Sequence, residues 1–213
     1  MPTTQLSAIA LCAAISALAA EVPLPELRIE PKTAGSIFYV RNPAAQPLTA
    51  FLIELVDYPG SNYFYWQDEP DEVVTPGATK EIQVTNMTVG AVPDYVKLRA
   101  AIYADGSTAG EPDRVEALIG RRRTALETTR ELIRRIERAA SADVARSDLT
   151  QWSEGMPALT RANRNTPVGF NQAVAKSLIA DAVRRLQTGG TAALLTRLKL
   201  FEQKSAESRP ALR

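Results

Sequence analysis

The sequence predicts an α+β protein in which an N-terminal antiparallel β-sandwich is followed by a C-terminal α-helical bundle. Two observations support this class. Up to Gly110 the chain alternates short apolar runs with turn residues, a pattern typical of sandwiches. From Pro112 onward the apolar residues recur mainly at helical spacing. We therefore divide the chain into a leading segment at 1–20, a sandwich domain at 21–110 and a helical domain at 111–213.

Turn residues separate six or seven predicted strands in the sandwich domain. Pairs that favour turns occur at 42–43, 59–60, 76–77, 93–94 and 105–106. The strands are expected at 27–30, 36–41, 48–57, 62–67, 80–85 and 96–104, with the brief run 72–74 as the seventh. Because no disulfide is available, the core must come from apolar side chains: Phe38, Val40, Phe51, Ile53, Leu55, Ile82, Val84, Leu98 and Ile102.

The stretch from Val96 to Glu111 carries the change from strand to helix. Alternation predicts one buried face in its strand, made of Val96, Leu98, Ala100 and Ile102, with Lys97, Arg99, Ala101 and Tyr103 on the other face. Asp105 and Gly106 then favour a turn. We expect two separate apolar cores, one between the sheets and one among the helices, with a single crossing of the chain near residue 106.

Periodicity and capping signals predict three or four helices in the second domain, depending on whether the short segment after Ser147 is helical. They are expected at 112–140, in a short segment capped by Ser147 and ended by Gly155, at 167–187 after Thr166, and from a cap at Thr191. The short link between the last two helices predicts an antiparallel pair, which would pack on the long first helix.

Three consecutive arginines, Arg121, Arg122 and Arg123, lie in the long helix. A nucleic-acid partner would need a basic stripe, whereas consecutive helical residues point in different directions. The net charge of the chain is only +1, so no overall field attracts phosphate groups. We expect no nucleic-acid partner and interpret the run as part of a solvated helix face.

The composition limits the chemistry that this chain can perform. It contains no histidine, and its one cysteine is Cys12. This excludes Ser-His-Asp and Cys-His catalysis, zinc sites of the usual kind and an intramolecular disulfide. The sequence also has no phosphate-binding or metalloprotease motif. We expect no catalytic residue, no cofactor and no metal site.

An uncharged run from Leu6 to Ala20 predicts a secretory signal peptide. It is shorter than the roughly 20 apolar residues that span a bilayer, and Ala17-Leu18-Ala19 fits a cleavage site. The mature chain would begin near Ala20 or Glu21, would be periplasmic or secreted, and would have no transmembrane segment. The residues before the run carry no Lys or Arg, and the alternative is a first helix or strand of the folded domain.

Part of the sandwich domain resembles a known family. The strand ending in Phe38-Tyr39-Val40-Arg41-Asn42, the Pro-containing link and the apolar strand at 48–55 resemble the B-to-C region of immunoglobulin-like domains in bacterial envelope proteins. The Pro76-Gly77 turn before Ile82-x-Val84 is similar to a later turn of those domains. The resemblance covers only the first domain, which lacks the cysteine pair and core tryptophan of antibody domains. It implies an immunoglobulin-like fold with a binding or structural role.

Aromatic residues are densest between Tyr58 and Trp66. Such side chains stack on sugar rings or on apolar partner surfaces, so we propose a ligand-binding site made of Tyr58, Tyr63, Tyr65 and Trp66. In a strand Tyr65 and Trp66 point to opposite faces, which favours the alternative that the segment belongs to the core. A second candidate site is a groove between sandwich and helices near Tyr103 and Asp105.

These observations favour an exported, non-catalytic interaction or structural module of the cell envelope, with an envelope protein or a polysaccharide as its partner. The alternative is a polysaccharide-binding protein or a carboxylate-dependent polysaccharide hydrolase or lyase. An enzyme of that kind needs two carboxylates across a cleft, for instance Asp57 and Asp105.

Overall fold

The computed structural model describes residues 22–33, 35–55, 64–69, 71–85, 95–160, 166–188 and 190–212. Within these ranges seven strands precede four helices, which confirms the α+β class and the order of its parts. The elements are β1 (Glu26–Lys32), β2 (Gly35–Arg41), β3 (Leu48–Leu55), β4 (Phe64–Gln67), β5 (Thr79–Val84), β6 (Val96–Tyr103), β7 (Thr108–Gly110), α1 (Pro112–Arg138), α2 (Ala142–Gly155), α3 (Pro167–Thr188) and α4 (Thr191–Glu207). The predicted signal peptide at 1–20 and the turn at 93–94 lie outside the described residues.

The strands form two antiparallel sheets. A three-stranded sheet has the order β1-β2-β5, and a four-stranded sheet has the order β4-β3-β6-β7. The predicted strand at 72–74 is wrong, because only Val74 pairs, in an isolated bridge with Leu48. The prediction also missed β7, whose three residues are too few to show a period of two.

The two sheets share an apolar core. Six of the nine predicted core residues are buried there, namely Phe38, Val40, Phe51, Ile53, Ile82 and Val84. Leu55 and Leu98 are partly buried against this core. Ile102 is fully buried but belongs to a different cluster. The difference has its origin in β6.

A register shift changes the facing of β6 halfway along the strand. Leu52 of β3 pairs with Ala100, whereas Ile53 pairs with Leu98, so Arg99 is an extra residue on β6. After this irregularity Tyr103 contributes to the core between the sheets, while Ile102 points to the other side. The prediction that Val96, Leu98, Ala100 and Ile102 share one face is therefore wrong, and so is the prediction that Ala101 and Tyr103 lie opposite the core.

The helices form a third layer on the other side of the four-stranded sheet. Ala50, Leu52, Ala100 and Ile102 of the sheet are buried together with Leu118 of α1. Because this interface joins the two halves, the expectation of two separate cores is wrong. A further core among the helices, made of residues from α1, α2, α3 and α4, includes Leu132, Leu149, Ile179, Leu194 and Leu198.

Side-chain caps are present at the starts of α2 and α3. Thr166 accepts a hydrogen bond from the Gly169 amide at 3.1 Å, as predicted for the start of α3. The cap of α2 is Ser141, whose hydroxyl accepts from the Val144 amide at 3.3 Å, so the prediction of Ser147 as the cap is wrong. At α4 the cap position is occupied by Gly190, and Thr191 is the first helical residue.

The link from β7 to α1 requires a glycine. Gly110 has a φ of 106°, and a Cβ there would lie 2.1 Å from the carbonyl oxygen of Arg99. The close approach lets β7 pair with β6, and the Glu111 amide then donates to the same oxygen at 2.9 Å. Pro112 begins α1 directly afterwards, which places the helix against the sheet.

Candidate functional site

The aromatic residues of β4 lie on both faces of the four-stranded sheet. Phe64 and Trp66 face the helices, where Phe170 of α3 packs edge-on at 4.7 Å and 5.3 Å between ring centroids. Tyr65 faces the other way and stacks on Phe51 at 6.3 Å. The two faces of β4 thus alternate as expected of a strand, and both are covered by other parts of the protein.

Tyr65 is half-buried, and its hydroxyl donates to the side-chain oxygen of Gln67 at 3.1 Å. Burial raises the pKa of Tyr65, and the nearby carboxylates of Glu72 and Glu69 raise it further. Tyr58 and Tyr63 lie outside the described residues. Tyr65 and Trp66 therefore have packing partners inside the protein, and a ligand role for the aromatic segment stays a prediction.

The arginine run of α1 lies at the junction between the layers. Arg122 is only 7% exposed, and the Arg121 guanidinium lies 5.6 Å from the ring centroid of Trp66. The Nε atom of Arg123 is buried without a hydrogen-bond partner. The interpretation of this run as a solvated helix face is wrong, because the sheet covers part of this side of α1.

We name the cavity beside Arg122 the seam cleft. It has a volume of about 360 Å³ and lies where the four-stranded sheet, α1, α4 and the last described residues meet. Ligand sites of proteins are concave and mix apolar walls with a few polar groups. The seam cleft has this character, since it is lined by Thr49, Asp68, Asp71, Ala104, Arg122, Ala125, Phe201, Lys204, Ser205, Glu207, Ser208, Arg209 and Leu212.

Arg122 connects three parts of the chain at this cleft. Its Nε donates to the Asp68 carboxylate, after β4, at 2.5 Å. Its two terminal nitrogens donate to the Thr49 hydroxyl on β3 and to the carbonyl oxygen of Arg209, both at 2.9 Å. A planar guanidinium presents its donors in a fixed fork, so one contact orients the other two.

Asp68 is nearly as buried as Arg122, with its side chain 10% exposed. Burial raises the pKa of Asp68 to about 6, although the Arg122 guanidinium acts in the opposite direction. The desolvation of a buried carboxylate therefore outweighs the attraction of its partner.

A second ion pair lies across the seam cleft. Lys204 of α4 forms a salt bridge with Asp71, which follows β4 in the chain. Both side chains are more than a third exposed, so this contact is a weak connection between helix and sheet. Phe201, Ala125 and Leu212 supply the apolar part of the lining.

The groove predicted near Tyr103 and Asp105 is close to the seam cleft without coinciding with it. Ala104 lines the cleft. Tyr103 is fully buried and donates to the Pro23 carbonyl at 2.5 Å, and burial raises its pKa to about 12. Asp105 accepts hydrogen bonds from the hydroxyl and the amide of Ser107, which lower its pKa.

A further charge cluster joins the start of α1 to the four-stranded sheet. Glu54 of β3 lies 2.7 Å from the Arg114 guanidinium and 3.4 Å from Arg99. Arg99 also pairs with Glu111 at 2.5 Å. These contacts hold the helix start on the sheet, at the position where Arg99 is extra in β6.

Sequence reasoning missed Asp68, Arg122 and the C-terminal wall of the seam cleft. Asp68 and Arg122 are 54 positions apart, and Arg122 and Arg209 are 87 apart, so no local spacing connects them. The available signals were an arginine run and an acidic segment after an aromatic strand. The enzyme hypothesis placed Asp57 and Asp105 across a cleft. This pairing stays a prediction, because Asp57 lies outside the described residues.

Among the residues that the structure describes, no group of three or more His, Cys, Asp or Glu side chains is placed to hold a metal ion. In the same part of the chain, none of the helices combines the length and the apolar character that crossing a membrane requires. The chain matches no family among those compared, no curated protein and no solved structure.

Proposed function

We propose that this chain is an exported, non-catalytic interaction module of the cell envelope and that the seam cleft holds its partner. In this proposal the two sheets form an immunoglobulin-like sandwich, and the four helices form a bundle that extends the binding surface. The observation that carries the proposal is the seam cleft itself, which combines residues from β3, α1, α4 and the end of the chain.

Two of the three carboxylates that line the cleft support a non-catalytic role. Asp68 accepts from Arg122, and Asp71 pairs with Lys204. Each of these two carboxylates therefore anchors one structural element to another. A glycosidase site needs a proton donor and a second carboxylate that are both directed at the substrate.

The lining favours an extended protein segment as the occupant. Lys204, which is 38% exposed, offers a polar contact to a backbone, and Phe201 and Leu212 offer apolar contacts to side chains. A volume of about 360 Å³ fits a few residues rather than a folded domain. The occupant that we propose is a segment of an envelope protein.

Site-specific photo-cross-linking in the native host tests this proposal. A photoreactive amino acid replaces Phe201, which lines the cleft, and in a matched strain it replaces Leu200, which is 49% exposed and does not line it. We expect a discrete cross-linked product in the envelope fraction from position 201 only. Equal products from both positions, or none from 201, would contradict the proposal.

Export has a separate test. Mass spectrometry of the protein from its host should show an N-terminus near Ala20 or Glu21. An intact N-terminus at Met1 or Pro2 would contradict removal of the segment.

A second candidate is a polysaccharide-binding protein or a carboxylate-dependent hydrolase or lyase. One observation favours it: a buried carboxyl group with a pKa near 6, Asp68, lines the same cleft as Asp71. Cleavage of a polysaccharide panel by the wild type, lost in Asp68→Asn and Asp71→Asn, would support this candidate. Binding without cleavage, weakened by Tyr65→Ala, would instead support a lectin-like role for the aromatic segment.

A further inference from the structure

A second cavity lies between α1 and α3, and we name it the α1–α3 pocket. It has a volume of about 480 Å³ and shares no lining residue with the seam cleft. One wall belongs to α1, between Asp113 and Arg123, and the start of α3 supplies the other wall with Pro167, Phe170 and Asn171. The volume lies within the range of small-molecule sites, roughly 300–1,000 Å³.

The wall on α1 contains a glycine that packing does not require. Gly120 lies inside the helix, where glycine is less favourable than alanine. A Cβ added there would meet one atom within 4 Å, Nδ2 of Asn171 at 3.7 Å, which is an ordinary contact. Because Gly120 lines the α1–α3 pocket, a side chain at this position would narrow it. Residues that break a local rule without a packing reason are typical of functional sites.

One helical turn beyond this glycine, Arg123 brings an unpaired cation to the same pocket. Its Nε is buried without a hydrogen-bond partner, and within the described part of the chain its guanidinium forms no ion pair. Arg114 lines the pocket too, but it already pairs with Glu54 at 2.7 Å. A guanidinium that is partly removed from water and donates to no protein group favours an anion beside it. A carboxylate suits its planar fork best, because it accepts two of the donors at once.

Two acids line the pocket nearer the start of α1. They are Asp113 and Glu116, both exposed, and neither forms an ion pair with another of the described residues. Glu116 precedes Arg123 by about 10 Å along the helix axis. Helical side chains point toward the N-terminus, so Arg123 leans toward Glu116, yet the two do not pair. The pocket therefore has an acidic end, a basic end and a gap between them.

We propose that the α1–α3 pocket binds a short zwitterionic peptide, with its carboxylate on Arg123 and its ammonium group beside Glu116. An extended tripeptide spans about 10 Å, which matches the distance between the two ends. Ala117 and Gly120 form a floor without bulky side chains, and Phe170 adds an apolar wall. Small apolar side chains of the peptide therefore fit between the charged ends. This site is independent of what binds in the seam cleft.

Titration of the full chain with trialanine, followed by nuclear magnetic resonance, tests the proposal. At pH 6.5 the amine of trialanine is protonated and its carboxyl group is ionised. The peptide should shift the amide signals of Gly120 and Asn171 with a Kd of about 1 mM or below. Trialaninamide lacks the carboxylate and should bind about tenfold more weakly. N-acetyl-trialanine lacks the ammonium group and should bind about threefold more weakly, because exposed acids attract a cation less.

Substitutions in the pocket separate binding from folding. Arg123→Met should weaken trialanine binding about tenfold, whereas Arg138→Met, at an exposed position of the same helix outside the pocket, should leave it unchanged. Gly120→Ala should raise the melting temperature, because alanine favours the helix and nothing excludes its Cβ. Gly120→Leu, which fills part of the pocket, should abolish the shifts.

Four results would overturn the proposal. The first is the absence of shifts at about 10 mM trialanine, a concentration that detects a millimolar Kd. The second is equal binding of the three peptides. The third is wild-type affinity in Arg123→Met, and the fourth is binding by a folded Gly120→Leu variant. Arg123→Met decides the matter if Gly120→Leu does not fold.

Discussion

The two sheets of this protein differ in what covers their outer faces. In the three-stranded sheet, β2 buries Phe38 and Val40 toward the other sheet, while Tyr39 and Arg41 point outward among charged neighbours. In the four-stranded sheet β3 behaves differently, since it is buried on both faces apart from Thr49 and Leu55. A strand therefore keeps a period of two only where one of its faces meets water.

The ion pairs follow the same division. Arg41 and Glu26 join two strands of the three-stranded sheet with both side chains at least half exposed. Arg122 and Asp68 join the helical layer to the four-stranded sheet with both side chains at most 10% exposed. Exposed pairs contribute little to stability, whereas a buried pair is costly to break.

The largest expected effect comes from breaking the buried pair. Arg122→Met leaves Asp68 buried without its partner and should lower the free energy of unfolding by about 3–5 kcal/mol. Arg41→Met, the matched change in the exposed pair, should cost about 0–1 kcal/mol. Urea denaturation at pH 7.5 measures both values. Similar losses in the two variants would remove the distinction between the pairs.

The next effect concerns apolar packing between the layers. Leu52 is fully buried against α1, so Leu52→Ala should cost about 2–5 kcal/mol. Ile37 on β2 points away from the core between the sheets and is only partly buried, so Ile37→Ala should cost about 1 kcal/mol or less. The same denaturation experiment compares them. If Leu52→Ala were as mild as Ile37→Ala, the helices would not be a covering layer of the sheet.

A smaller effect should follow the titration of Asp68. Its folded-state pKa of about 6 lies above the ordinary value of 3.8. Its contribution to stability is therefore fully present below about pH 4 and is lost as pH rises through 6, by an amount on the order of 3 kcal/mol. Asp105 and Asp181 have lowered pKa values, so their contribution to stability is lost as pH falls, which is the opposite dependence. The contribution of Asp68 is therefore obtained from the difference in the free energy of unfolding between the wild type and Asp68→Asn. A difference between these two proteins that stays constant from pH 4 to 7 would contradict the raised pKa.

The smallest effect concerns Thr129 of α1, whose hydroxyl is fully buried and has no hydrogen-bond partner. Thr129→Val keeps the shape and removes the unpaired group, so it should raise the free energy of unfolding by about 1 kcal/mol. Thr150 on α2 is exposed and donates to the Arg146 carbonyl at 2.9 Å, and Thr150→Val is the control, with little change expected. Thermal unfolding detects the difference, and a loss of stability in Thr129→Val would show that its hydroxyl has a partner.

The sequence predicted best where local physical chemistry decides the outcome. β2 and β5 follow the predicted alternation because their outer faces are solvated. α1 begins at Pro112 and α3 begins after Thr166, as their capping signals indicate. The opposite facing of Tyr65 and Trp66 also follows from strand geometry alone.

Three of the failures share one physical cause, which is contact between distant parts of the chain. Arg99 is extra in β6 because of its pairing with β3, and that pairing is invisible in the alternation of β6 itself. The arginine run looks solvated on an isolated helix, but Arg122 is buried and donates both to Thr49 of the sheet and to the carbonyl of Arg209. The candidate site was missed for the same reason.

Local sequence patterns were enough to predict the order of strands before helices, the starts of α1 and α3 and the inward residues of the three-stranded sheet, because neighbouring residues along one chain segment set them. The covering of the second sheet by the helices, and the contact of Asp68 with Arg122 near the end of the described chain, depend on the tertiary structure. Burial and charge pairing there depend on surfaces brought together from distant positions, and their energies arise only once those surfaces meet.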